Sequence, residues 1–404
     1  MAQRILILSW EYPPIVAGGL ARHVHKLSEA LAARGVEVHV LTRGARDHVA
    51  EELRGGVHIH RVAESPMPHD LDAFVAWVEG MNSHMHAAGR RLGRRLRPDL
   101  VHGHDWLVAG AAAALAERLG CPYLTTIHAT EYGRHQGWVD KHPQSYIHGI
   151  ETWMARRADH VITCSHYMRD HAADVYEIDE TRVTVIPNGI DPADLQPVAD
   201  LGELRARFAA PGERLVLLVG RLVYEKGFQV ALDALPQVIR RAGRVRFLIA
   251  GSGTHEAELK QQARRLGLMP HGTFMGWIGG DVLHSLYRIA DLCVVPSIYE
   301  PFGLVALEAM ASGCPCIVAD TGGLREVVPD NDAGLRFQSR DPRALARMMQ
   351  RVLTDDALRD RLVAEASVHV LRFDWADVAE QTAVVYAALG GADAGGAKIA
   401  RRPA

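Results

Sequence analysis

The chain reads as an α/β protein made of two doubly wound, Rossmann-like halves. Its 404 residues suffice for two domains at roughly 100–200 residues each. Short β-branched or aliphatic runs alternate with segments of helical period, the pattern of parallel sheets covered by helices. That alternation breaks once in mid-chain and then restarts. With 48% hydrophobic and 23% charged residues there is apolar surface for two cores, and wholesale disorder is excluded.

Arg4 to Ser9 is the first strand. The turn Tyr12-Pro13-Pro14 and the pair Gly18-Gly19 follow it, and Leu20, Val24, Leu27 and Leu31 then recur at helical spacing before a strand at Val36 to Leu41. That is one βαβ unit. Further strands are predicted at Val57 to Val62, Leu100 to His102, Tyr123 to Ile127, His160 to Cys164 and Thr184 to Ile186, closing a first domain over 1–190. Between the first and second of these, Phe74, Trp77, Met81, Met85, Ala88, Leu92 and Leu96 mark a helix ending in the basic run Arg90 to Arg97.

Residues 191–212 turn to Pro, Asp and Ala and read as a linker; Leu215 to Val219 restarts the alternation. The second domain, 213–371, carries strands at Val245 to Ala250, Thr273 to Met275, Leu292 to Val295 and Cys316 to Ala319. Beyond Asp341 the period is helical through Ala344 to Leu353, Ala357 to Leu371 and Trp375 to Leu389, the last lying in a segment of its own, 372–389. The Gly/Ala-rich tail 390–404 is expected to fray.

Several function classes fall away. Forty-five Lys and Arg against 48 Asp and Glu give 45 − 48 = −3, so there is no bulk positive field to hold nucleic acid. Cys121, Cys164, Cys293, Cys314 and Cys316 form no even disulfide set and no C-x-x-C pair, and read as reduced thiols. The chain runs straight into a strand without a secretory leader, and its apolar runs, such as Val108 to Leu115, fall short of a membrane span, so a cytoplasmic protein is expected. Arg90 to Arg97 complements its helix end electrostatically, or else meets anionic lipid as a peripheral contact. The H-x-H pairs at His23/His25, His58/His60, His84/His86 and His102/His104 lack a third ligand at a suggestive spacing, so no metal is expected. His102 and His104 read as sheet-end polar groups facing a cleft.

Open parallel sheets bind ligands at the carboxyl ends of their strands, which directs attention to three post-strand loops. The first runs from Ser9 through Glu11 to Gly18-Gly19-Leu20, where two glycines let the backbone approach an anion and a helix start offers free N–H groups. In the second, Gly220-Arg221-Leu222-Val223-Tyr224-Glu225-Lys226-Gly227, a guanidinium and an ammonium five residues apart can converge on a diphosphate. The third is Ser297 to Met310. A helix starting near Gly303 would aim the amides of Gly303 and Leu304 at a phosphate, with Glu300 in the loop and Glu308 one turn in, where its apolar neighbours make an unbonded acid costly.

Glu300 and Glu308 within and after Tyr299-Glu300-Pro301-Phe302-Gly303-Leu304, together with Gly220-Arg221, Lys226-Gly227 and Pro187-Asn188-Gly189-Ile190-Asp191, resemble the glycosyltransferase family 4 pattern over nearly the whole chain. Ser9-Trp10-Glu11-Tyr12-Pro13-Pro14, His104-Asp105-Trp106 and Thr126-Ile127-His128-Ala129-Thr130-Glu131 are most similar to its bacterial α-glucosyltransferases of the glycogen-synthase and methylglucose-polysaccharide type.

The resemblance implies a GT-B fold, with the last helix crossing back to the first domain, and retaining, metal-independent transfer from a nucleotide sugar without a further cofactor. It assigns Arg221 and Lys226 to the donor diphosphate, Glu300 to sugar hydroxyls, Glu308 to the ribose and His128 to the neighbourhood of the transferring sugar. It also puts Gly18 and Gly19 at phosphate, and Trp277, Ile278, Phe302, Gly303 and Leu304 in the donor site. Glu11, Asp105 and Glu131 fall on the acceptor side. Relatives using ADP-glucose carry a Lys two residues before the glycine pair, where this chain has Val16, which favours UDP-glucose over ADP-glucose. The expected reaction is glucosyl transfer to an α-1,4-glucan. The alternatives are a GDP-mannose-dependent mannosyltransferase acting on a phosphatidylinositol-type lipid and a sugar-binding scaffold without turnover. Charge builds on the leaving diphosphate as the sugar–phosphate bond breaks, so fixed cations and helix amides should supply most of the acceleration.

Overall fold

Continuous apolar runs become strands buried on both faces: Ile5, Leu6, Ile7 and Leu8 of the first strand are wholly covered, as parallel sheets require. The computed structural model describes residues 3–390 apart from 17, 46, 47, 49 and 69. Its first half contains β1 (Arg4–Ser9), α1 (Gly19–Ala33), β2 (Glu37–Gly44), β3 (Glu51–Arg54), β4 (Val57–Ala63), α2 (Leu71–Leu96), β5 (Leu100–His104), α3 (Ala109–Leu119), β6 (Tyr123–Ile127), α4 (Glu131–Arg134), α5 (Gln144–Arg157), β7 (His160–Thr163), α6 (His166–Tyr176) and β8 (Val183–Val185). After α7 (Leu201–Ala206) come β9 (Arg214–Val219), α8 (Phe228–Ala242), β10 (Val245–Ala250), α9 (Glu256–Arg265), β11 (Gly272–Gly276), α10 (Gly280–Ile289), β12 (Leu292–Val295) and α11 (Leu304–Ala311). The chain continues with β13 (Cys316–Ala319), α12 (Leu324–Val327), β14 (Leu335–Phe337), α13 (Pro342–Thr354), α14 (Asp356–His369) and α15 (Trp375–Gly390).

The strands form an eight-stranded sheet, β3-β4-β2-β1-β5-β6-β7-β8, and a six-stranded sheet, β11-β10-β9-β12-β13-β14. Every pairing is parallel except β3 with β4. The strand order reverses between β2-β1 and β5 in one sheet and between β10-β9 and β12 in the other, so each half has a crevice at its strand ends. The two crevices face each other.

Helix boundaries follow local chemistry. Asp70 caps α2 by accepting the amide of Ala73 at 2.8 Å, and Arg97 ends it in the left-handed region. Arg94 and Arg95 lie in its last turn, where cations meet the carbonyl end, and the side chains of Arg90, Arg91, Arg94, Arg95 and Arg97 are exposed. α15 crosses back onto the first half: Val378, Ala379, Val385 and Tyr386 share a core with Val24, Leu27 and Leu31 of α1. No helix among the described residues is long and apolar enough to cross a membrane, and the five cysteines are free.

The structure adds elements that the sequence pattern did not announce. β3 is an exposed edge strand, Glu-Glu-Leu-Arg, with no apolar alternation, and β14 is only three residues long. The linker contains the helix α7, whose start is capped by Asp200 on the amide of Glu203 at 2.8 Å. The tail from 391 onward lies outside the described residues. The reading of His102 and His104 as cleft-facing groups is corrected: both are fully buried, because α15 covers that end of β5 and Tyr386 hydrogen-bonds His102 Nδ1 at 2.8 Å.

Candidate active site

Two loops of the second half are locked together by backbone contacts. The carbonyl of Glu225 accepts the amides of Ile298, at 2.8 Å, and Tyr299, at 3.2 Å. Gly227 has φ +70°, and a Cβ there would lie 1.9 Å from the carbonyl oxygen of Pro296, so only glycine lets the loop after β9 press this closely on the loop after β12. The consequence is chemical. Lys226 Nζ reaches both carboxylate oxygens of Glu300, at 2.9 and 2.8 Å, and Ser297 Oγ donates to Glu300 Oε2 at 2.8 Å.

Gly303, with φ +121°, turns the chain into α11, so the first free amides of that helix follow directly after Glu300. One turn in, Glu308 is 3% exposed and fully engaged: Arg22 Nη1 donates to Oε1 at 2.5 Å and the Tyr287 hydroxyl to Oε2 at 3.0 Å. Arg22 belongs to α1 of the other half. The starts of α1 and α11 face each other so closely that a Cβ on Gly19 would sit 2.8 Å from Leu304 Cδ1. The two helix starts, with Lys226 and Arg221 nearby, suit an anion carrying several oxygens.

Arg221 reaches toward Glu225 at 3.8 Å and is 58% exposed, so its guanidinium is free to grip a ligand. Arg134 of α4 stands near enough for the two cations to repel, and adds a third positive group across the cleft. The acidic partners of Arg134 are Glu131, at 3.6 Å, with Asp105 and Glu151 close by.

On the first-half side, Asp105 sits at φ +61° and accepts the backbone amide of His128 at 2.7 Å, which fixes the loop after β6. Burial lifts the Asp105 carboxyl to about 6. His128 is pushed down to about 4 by burial and by the charge of Arg134, and its Nε2 shares a 3.1 Å hydrogen bond with His104 Nδ1. The ring is therefore neutral at neutral pH.

Not every expected residue points into the cleft. Glu11 is buried, and its Oε1 accepts the amide of Ala21 at 3.2 Å in the first turn of α1, with Gly18 alongside. Glu131 is also buried and bonded to His135 Nε2 at 3.0 Å, so its carboxylate organises α4. Phe302 packs edge-on against Phe373, at 5.9 Å between ring centres, as a core residue. Trp277 is 75% exposed after the tight turn at Gly276, open for stacking, whereas Ile278 is half-buried.

A cavity of about 240 Å³ opens between Gly19, Arg22, Leu304 and Glu308 on one side and Gly189 and Trp375 on the other. Arg221, Lys226 and Glu300 lie outside its lining. Sequence reasoning missed Arg22, His23, Arg134, Tyr287 and Ser297. Arg22 had a usable signal, as it follows the glycine pair on the same helical face; Arg134, in a helix of four residues, had none.

The chain is similar to known proteins along its length. Residues 17–194 match the family model described as Glycosyltransferase Family 4, and residues 202–369 match Glycosyl transferases group 1. A protein named glycogen synthase from Mycobacterium tuberculosis is 42% identical over 400 residues, spanning 95% of this chain and 94% of that one. A protein named D-inositol 3-phosphate glycosyltransferase from Kineococcus radiotolerans is 32% identical, spanning 95% of each chain. Among solved structures, sucrose-phosphate synthase from Thermosynechococcus elongatus superposes with a TM-score of 0.83 at 27% identity, over 96% of this chain and all of that one.

Proposed function

The chain belongs to the GT-B glycosyltransferases of family 4, and from that premise we propose that it moves glucose, with retention of configuration, from UDP-glucose to an α-1,4-glucan. One observation carries the reading: Lys226 is held on both oxygens of Glu300 at the start of α11, opposite the start of α1. A diphosphate between those helix starts meets amides from both halves, Lys226 and Arg221. The sugar extends toward Glu300 and His128.

As the bond from the anomeric carbon to phosphate breaks, the electron pair leaves on the diphosphate oxygen, and the cations and amides stabilise it. Glu300, already aimed by Lys226 and Ser297, takes sugar hydroxyls. Glu308 takes the ribose once it exchanges Arg22 for the ligand. A neutral His128 can accept a hydrogen bond from the sugar without adding charge that would oppose cleavage. No cofactor enters this scheme.

Glucosyl transfer is supported by the 42% identical relative named glycogen synthase. UDP is favoured because Val16, 45% exposed before α1, offers no ammonium where users of ADP-glucose have one. A second reading, transfer to an inositol phosphate, is favoured by the 32% identical relatives of that name. Incubation with UDP-, ADP- and GDP-glucose and GDP-mannose, each with maltooligosaccharides or inositol 3-phosphate, separates them. UDP release that depends on glucan, with an α-linked product by NMR, is expected. Product on inositol phosphate alone, or release of GDP from GDP-mannose, overturns the first reading.

A further inference from the structure

We propose that His23, His104 and His128 form a binding site for a divalent transition-metal ion, with zinc the best match, and that its occupancy closes the active site. The three residues come from α1, the end of β5 and the loop after β6, so no local spacing in the sequence brings them together. One ring nitrogen from each lies within 4.8 Å of the others. A tetrahedral ion with nitrogens at about 2.0–2.1 Å holds them about 3.3 Å apart, so side-chain rotations of an ångström or so complete the site.

A second observation points to a guest. His23 Nδ1 and His104 Nε2 have no hydrogen-bonding partner, although His23 is 7% exposed and His104 is 0%. Asn188 stands beside His23 as its hydrogen-bonding neighbour. Buried polar atoms are ordinarily satisfied, and two imidazole nitrogens without a partner in one cluster form a donor set in want of a cation. His102 is excluded as a ligand, because Tyr386 and Thr126 hold its nitrogens at 2.8 and 2.7 Å; it packs against His104 instead, with ring centres 4.3 Å apart.

Coordination replaces the hydrogen bond between His104 and His128. Each ring binds through one nitrogen and keeps its single proton on the other, so no proton need leave. His128 is the least buried of the three, which leaves the fourth position open to the cleft. The inhibitory consequence rests on the proposed function, since it follows from His128 being withdrawn from the donor sugar; the binding itself does not.

Titration with Co²⁺ tests the site, because a four-coordinate nitrogen site gives visible absorption that hexaaqua cobalt lacks. Calorimetry with Zn²⁺ supplies affinity and stoichiometry. The wild-type protein is expected to take up one equivalent with the four-coordinate spectrum. His23→Ala and the half-buried His128→Gln, each checked for native circular dichroism, should bind at least tenfold more weakly, and His60→Gln, on β4, should bind as wild type does. Absence of the spectrum, or equal uptake by His23→Ala, overturns the proposal. Zinc should also suppress nucleotide release. If the metal binds as described and no donor is ever turned over, the functional reading fails while the site stands.

Discussion

Lys226 neutralises Glu300 in the free protein and a phosphate in the proposed complex, and this double duty makes it the most informative single residue. Lys226→Met removes the cation but leaves Glu300 bonded by Ser297, so the fold should survive; the lysine side chain is 22% exposed. Loss of one preorganised group that stabilises developing charge costs about 100- to 1,000-fold in rate. We expect kcat to fall by that amount in a nucleotide-release assay. Lys226→Arg should not restore it, because a planar fork cannot follow a point charge in a loop this tightly held. A kcat within threefold of wild type in Lys226→Met would remove the residue from the mechanism.

The loops that carry these residues work because particular glycines allow two backbones to touch. Gly227 and Gly276 form a controlled pair, since both have φ near +70°, yet a Cβ at Gly276 meets nothing within 4 Å whereas one at Gly227 collides with a backbone carbonyl. Gly276→Ala should cost only the left-handed strain, about 1 kcal/mol. Gly227→Ala must also part the two loops, so urea denaturation should show a larger loss and transfer should fall with it. Equal losses in the two variants would show that the close approach is not needed. At this scale the sequence was most legible where the physics is local. Tyr123–Ile127, Val245–Ala250, Leu292–Val295 and Cys316–Ala319 are strands to the residue, since each is a short apolar run bounded by turn chemistry. β3 and β14 escaped because an exposed edge and a three-residue strand carry no periodic signal. The loops of Arg221, Lys226 and Glu300 were equally readable, while Arg22 on Glu308 and His23 beside His128 depend on how distant segments pack, which periodicity does not encode.

The two halves are joined by specific bonds as well as by α15. Ser165 Oγ donates to the carbonyl of Pro301 at 2.7 Å, the Glu326 carboxylate accepts the amides of His166 and Tyr167 at 2.9 Å, and the Tyr299 hydroxyl accepts the amide of Thr130 at 3.1 Å. Where α1, β5, β6 and α15 meet, His23, His102 and His104 are held well below the ordinary histidine range by burial, and His128 is held at about 4. A base depressed in the folded state takes up its proton on unfolding. Between pH 6.5 and about 4 the unfolded chain therefore binds more protons at these four sites, and stability falls as pH drops through that window. Asp105, raised to about 6, and Glu151, raised to about 8, act with the opposite sign, because the folded state keeps their protons longer. Two acids only partly offset four bases on the acid side. Above pH 6.5 these four histidines no longer contribute, while Glu151, and His135, which its bond to Glu131 raises above the ordinary histidine value, cost stability as pH rises. Denaturation midpoints should thus pass through a maximum near pH 6–7. His23→Gln should flatten the acid limb and Glu151→Gln the alkaline one, and a profile unchanged in both variants would show that these buried groups are not what sets the molecule's pH range.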